Sequence, residues 1–138
     1  MKLYLDTNVI LDLILQRFPF FDDIARIVTL YEKGECLLYT SSVSFVNCNY
    51  ILGKNIEKKR VLENLKILRT FCSILKVGEN EIDQSLISNF NDFEDAVQYF
   101  TCVKNNCEYI ITRDKHDYKK AQIPVMSPTE FLASINKN

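Results

Sequence analysis

Apolar residues along this chain fall into two rhythms that alternate from end to end. Short unbroken runs over residues 3–5, 36–40, 73–77, 109–112 and 123–126 predict strands. Between them, apolar side chains recur every three or four positions and predict helices. Val9, Ile10, Leu13 and Ile14 mark the first, which should end near Arg17 because Pro19 follows. Ile24, Ile27, Val28 and Tyr31 mark a second over 20–33, stopped by Gly34. Ser41 and Ser42 offer a cap for a third that runs to about Leu52 and is closed by Gly53. Val61, Leu62, Leu65, Leu68 and Phe71 define a helix over 57–71, and Ile82, Leu86 and Ile87 one over 79–88. The clearest stripe is Phe93, Ala96, Val97, Phe100 and Val103, in a helix over 92–105 whose Asp92 and Asp95 stand in capping-box positions. Ser127, Pro128 and Glu130 then start a last helix that reaches about Ile135.

The strands are apolar throughout instead of alternating, which asks for cover on both faces. Strands interleaved with helices along the chain therefore predict an α/β protein: a parallel sheet of four to five strands inside a three-layer α/β/α arrangement. At 138 residues the chain suits one domain, 1–138, with one sizeable core. It contains no internal repeat, low-complexity tract or linker.

Composition narrows the function classes. Hydrophobic residues make up 47% and charged residues 25%, as in an ordinary globular protein. The apolar run from Val9 to Leu15 is broken by Asp12 and is far short of the roughly 20 residues of a membrane span. Asp6 falls where a targeting segment would still be apolar, so neither a signal peptide nor a membrane partner is expected. Cys36, Cys48, Cys72, Cys102 and Cys107 form no CxxC pair, and the lone His116 completes no zinc site with them. Such cysteines read as reduced, buried thiols of a cytoplasmic protein. A net charge of −1 argues against binding nucleic acid by bulk charge, leaving a local basic patch. With three glycines and no GxxxxGK[ST] or GxGxxG, a backbone phosphate cradle is excluded.

The candidate chemistry lies in acids at strand ends and helix starts. Asp6 follows the first strand, Asp95 sits in the first turn of the 92–105 helix, and Asp114 follows YIIT. In a parallel sheet these positions can share the crevice outside the carboxyl ends of the strands. Two like charges about 4 Å apart repel by roughly 4 kcal/mol at an effective dielectric near 20, and a divalent cation removes the conflict. Oxygen ligands of this kind suit Mg²⁺ or Mn²⁺, which can activate water toward a phosphodiester. For Asp6 a plain helix-cap role is an equal alternative. Asp92 either adds charge to the site or caps the helix with Asp95 as its reciprocal acid. Asp12, one turn beyond Asn8, is expected in a solvated position, as is Asp117 beside His116.

LDTNVILD, then DFEDAVQY, then YIITRD, in this order and near these separations, resemble a PIN-domain protein similar to the VapC-type toxin ribonucleases. The likeness covers essentially the whole chain. It implies a PIN fold, a Mg²⁺- or Mn²⁺-dependent endoribonuclease, RNA as substrate and a protein antitoxin as partner. Asp6, Asp95 and Asp114 match the family's acids, with Asp92 as an added metal-site candidate, and Asn8 and Thr112 match its supporting polar positions. The family's glutamate in the helix after the second strand is replaced here by Asn47. An amide oxygen can ligate a hard cation or hold a metal-bound water, yet it brings no charge. The alternative function is therefore a catalytically weakened module that binds RNA or a protein.

Arg113, Lys115 and Thr112 are the expected substrate contacts, with Lys119 and Lys120 nearby. Lys54, Lys58, Lys59 and Arg60 form a second basic group. Phe18, Phe20 and Phe21 around Pro19 are expected in the core or at a contact with a second copy of the chain, a homodimer, more than as stacking platforms for bases.

Overall fold

The first strand, β1 (Lys2–Leu5), lies at the centre of a five-stranded sheet, and alternate side chains leave it toward opposite layers. In the computed structural model, which describes residues 1–136, the elements follow as α1 (Thr7–Ile14), α2 (Phe21–Glu32), β2 (Leu37–Ser41) and α3 (Ser42–Leu52). Then come α4 (Lys58–Phe71), β3 (Cys72–Leu75), α5 (Glu79–Leu86), α6 (Phe93–Lys104) and β4 (Tyr109–Ile111). A short 3-10 turn (Lys115–Tyr118), β5 (Val125–Met126) and α7 (Pro128–Ile135) close the chain. The last two positions of the expected 1–138 unit lie outside the described residues.

All neighbouring strands pair in parallel, in the order β3-β2-β1-β4-β5. The chain thus winds outward from β1 through β2 to β3, then returns by α5 and α6 to place β4 on the other side of β1. The carboxyl ends of β1 and β4 therefore border the point where the winding reverses, where open α/β sheets leave a crevice.

Two cores flank the sheet. Leu3, Leu5, Leu38 and Ile111 pack with Val9, Ile10, Ile24, Ile27, Cys48, Val61, Leu65, Leu68 and Phe131, which come from α1, α2, α3, α4 and α7. Tyr4, Leu75 and Ile110 pack on the opposite side with Tyr99 and Cys102 of α6, together with Cys107 and Tyr118. α5 packs on α6. This is the expected three-layer architecture.

Caps set most boundaries. Ser41 accepts from Ser44 N–H at 3.1 Å to start α3, and Ser127 from Glu130 N–H at 3.1 Å to start α7. Gly34, at φ +77°, ends α2 in the left-handed region that glycine adopts freely. Several boundaries differ from expectation, those of α1, β3 and β5 with an evident reason. α1 stops at Ile14, because Gln16 turns the chain at φ 51° and Arg17 folds back onto the helix. β3 begins one residue early and ends two early, since it is an edge strand paired only with β2, with Ser73 and Ile74 facing outward. β5 is only Val125–Met126, following the ladder that β4 offers.

Leu3 is fully buried in the central strand, whereas Ile74 on the edge is 36% exposed. Leu3→Ala is expected to cost about 2–5 kcal/mol and Ile74→Ala about 1 kcal/mol or less, measured by urea denaturation.

Candidate active site

The end of β1 and the end of β4 are stitched together by side chains. Asp6 N–H donates to Ile111 O at 3.0 Å, extending the pairing one residue past the strand. Asp6 Oδ1 then accepts from Thr7 N–H at 2.7 Å, capping α1, while Oδ2 accepts the Thr112 hydroxyl at 2.9 Å and faces Tyr118 OH at 3.2 Å. Thr112 Oγ1 accepts in turn from Asn8 Nδ2 at 2.9 Å and from Asp114 N–H at 3.0 Å. Asn8 spans the remaining gap, taking Arg113 N–H at 3.1 Å on its Oδ1 and reaching Asp114 Oδ2 at 3.3 Å with its Nδ2. Asp6 thus caps α1 and ties the ends of β1 and β4 together at once.

Beneath this lattice lies Asp12, whose side chain is only 1% exposed. The expectation of a solvated position is corrected. Arg113 grips it with Nε at 2.6 Å and Nη2 at 3.1 Å, and Arg17 Nε adds a third bond at 2.8 Å. Two guanidinium groups offset the burial of one carboxylate, and the pairing ties α1 to the β4 end. Arg113 also lies over the Phe20 ring at 3.8 Å, a cation–π contact that fixes its plane. Arg113 is therefore held in place, with its Nη1 outside these contacts. Lys115 pairs with Glu130 at 2.8 Å on the surface. Phe18 is 93% exposed and takes no part in the core.

Asp6, Asp95 and Asp114 line a single open hollow of about 330 Å³, with Thr7, Asn8, Leu11, Arg17, Ile51, Arg113 and Asp117. Asp117 is exposed, as expected, and also joins its wall from the 3-10 turn after Asp114. Asp92 and Asn47 are not among the lining residues. Asp92 Oδ1 accepts from Asp95 N–H at 3.0 Å as the N-cap of α6, and Asn47 Nδ2 donates to Glu94 Oε1 at 2.9 Å. Residues 2–116 match the sequence profile of the PIN domain.

The chain belongs to the PIN-domain family. It is 29% identical over 140 residues to Ribonuclease VapC1 of Aquifex aeolicus (strain VF5), covering 98% of this chain and 96% of that one. VapBC2 from Rickettsia felis, solved bound to a DNA fragment from its promoter, superposes with a TM-score of 0.68 at 18% identity, over 92% of this chain and 98% of that one. A toxin–antitoxin complex from Klebsiella pneumoniae gives 0.66 at 20% identity, over 91% and 96%.

In this PIN fold the acids carry more negative charge than their surroundings balance. Burial pushes the Asp6 carboxyl up to about 6, against the hydrogen bonds from Thr112, Thr7 and Tyr118. Asp95 rises to about 8, through burial first and then the charges of Asp6, Asp92, Asp117 and Glu94. Among the described residues no three His, Cys, Asp or Glu side chains stand grouped so as to hold a metal by themselves. Glu94, Gln98, Asp117 and Tyr118 were not anticipated. Glu94 stands beside Asp95 in DFEDA, which was its one available signal; Tyr118 had none, because its position depends on the 3-10 turn.

Asp6 and Asp95 each bind protons more tightly folded than unfolded, where a carboxyl lies near 3.8. Their contribution to stability is full below that value and is lost as pH rises through about 6 and about 8. The melting temperature of the cation-free protein is expected to fall between pH 5.5 and 8.5, and Asp95→Asn to flatten that fall, followed by circular dichroism.

Proposed function

We propose that this PIN-domain chain is a metal-dependent endoribonuclease, the toxin of a toxin–antitoxin pair. The observation that carries the reading is the placement of Asp6, Asp95 and Asp114 around one open hollow at the carboxyl edge of the sheet. The chain-long likeness to a ribonuclease of the VapC type supports it.

A Mg²⁺ or Mn²⁺ ion fits the residues present. The donors are hard carboxylate and amide oxygens, and Thr7 Oγ1 in the same wall is buried without any hydrogen-bond partner. These ions take one or two carboxylates and complete their shell with water and substrate phosphate, so a hollow without a closed cage of three acids suits them. Asp6, Asp95 and Asp114 would hold the ion, with Asp92 outside that set as a cap. When bound, it supplies an activated water and charge stabilisation at a phosphodiester. The chain's own residues orient the substrate: Asn8 and Thr112 fix Asp6 and Asp114, and Arg113 Nη1 meets a backbone phosphate. Lys115, Lys119 and Lys120 extend that basic edge.

The Klebsiella neighbour was solved as a toxin–antitoxin complex, which supports a protein antitoxin as partner here. The five buried free cysteines suit the reducing cytoplasm, and among the described residues no helix is long and apolar enough to cross a membrane. The neutral Asn47 favours one second reading, a module that binds RNA without cleaving it.

RNA cleavage by the purified chain is expected to require Mg²⁺ or Mn²⁺. It should fall on the order of 10²-fold or more in Asp6→Asn and in Asp95→Asn, with circular dichroism unchanged. Cleavage that survives both substitutions contradicts the assignment. RNA binding without turnover at any metal concentration selects the second reading.

A further inference from the structure

A second cavity adjoins the acidic hollow and has no part in the chemistry described so far. It encloses about 500 Å³ between the start of α2 and the start of α7, in the size range that takes a small ring system. Pro19, Phe20 and Pro128 give it an apolar wall, and Asp23, Ser127 and Thr129 a polar one. Arg113 is the partition. Held by Asp12 and by the Phe20 ring, it lines the cavity and the hollow alike. A nucleotide whose phosphate meets Arg113 beside the hollow therefore has room for its base on the other side.

Asp23 decides what such a base must offer. Its Oδ2 accepts the Thr129 hydroxyl, which ties α2 to α7 and fixes the carboxylate. Its Oδ1 lies 3.8 Å from Arg26 Nη1, beyond hydrogen-bond length, so lone pairs stay open on that oxygen. A carboxylate only accepts, on two oxygens side by side. Among the Watson–Crick edges of RNA bases, guanine alone sets two donors next to each other, N1–H and the N2 amino group. Adenine and cytosine set one donor beside an acceptor, and uracil puts its single N–H between two carbonyls. We propose that this cavity takes one unpaired guanine of the RNA, read by the Asp23 carboxylate while Arg113 holds the adjoining phosphate. Loops and single strands present bases splayed out in this way. Arg113 and Arg26 offset the charge of Asp23 toward the incoming backbone. Such a guanine site presupposes the RNA-cleaving activity proposed above.

Two labelled hexamers, UUGUUU and UUAUUU, cleaved in one tube by the full chain with Mn²⁺, test it through the ratio of their kcat/KM values. The native chain is expected to prefer UUGUUU on the order of tenfold, toward the low end for a bidentate base contact because Asp23 is only half-buried. Asp23→Asn sets an amide donor against guanine and should bring the ratio to within about twofold of unity, with the circular dichroism spectrum unchanged. Thr129→Val breaks the same α2–α7 link but leaves the carboxylate, and should retain a preference for UUGUUU. Loss of the preference to the same extent in both variants makes Asp23 a structural tie and overturns the assignment. So does a guanine preference that survives Asp23→Asn. Should Asp23→Asn fail to fold, guanosine and adenosine 5′-monophosphates as competitive inhibitors of the native chain give the same reading: the first is expected to inhibit about tenfold more strongly, and equal inhibition overturns the site. A native chain that cleaves both hexamers equally loses the guanine site alone and leaves the cavity to a protein partner. One that cleaves no RNA removes the nuclease reading beneath it.

Discussion

Mutual repulsion among carboxylates is the constraint on which this structure turns. Asp6, Asp95, Asp114 and Asp117 are drawn to one hollow by three separate elements, and burial raises the cost of keeping the first two ionised. A fold gains no stability from such a gathering. The parallel sheet makes it unavoidable once an acid follows β1 and another follows β4, since both strands end at the same edge.

The rest of the site is arranged to hold those charges apart from the core and in register. Thr112 and Asn8 join the strand ends with four hydrogen bonds that link Asp6 to Asp114. Asp12 is held between the guanidinium groups of Arg17 and Arg113, which themselves line the hollow. The acids therefore differ in kind. The Asp12 carboxylate is paired with guanidinium groups from within the chain, and the acids of the hollow are not, which fits the proposed binding of a cation there.

Much of this was legible in the residues because local patterns act locally. Apolar runs gave strands, period-3.6 stripes gave helices, and Asp92, Ser41 and Ser127 announced their helices as caps. The three principal acids were visible because each ends a strand or opens a helix. Asp12 was misjudged because its partners, Arg17 and Arg113, are five and 101 residues away, and a helix position with one acid looks solvated from sequence alone. Tyr118, Gln98 and Glu94 escaped notice for a related reason: they are joined by hydrogen bonds formed only when α6, α3 and the 3-10 turn meet. The early end of β3 reflects edge position, which no local pattern encodes.

The central claim is that the hollow carries negative charge which only protons or a divalent cation can balance. Calorimetry of Mn²⁺ binding at pH 7, repeated in buffers of different ionisation enthalpy, measures this directly. With Asp95 near 8, the account predicts release of up to about one proton per ion bound at pH 7 and almost none at pH 9. A heat of binding that is independent of the buffer at both pH values, or no binding at all, would contradict it.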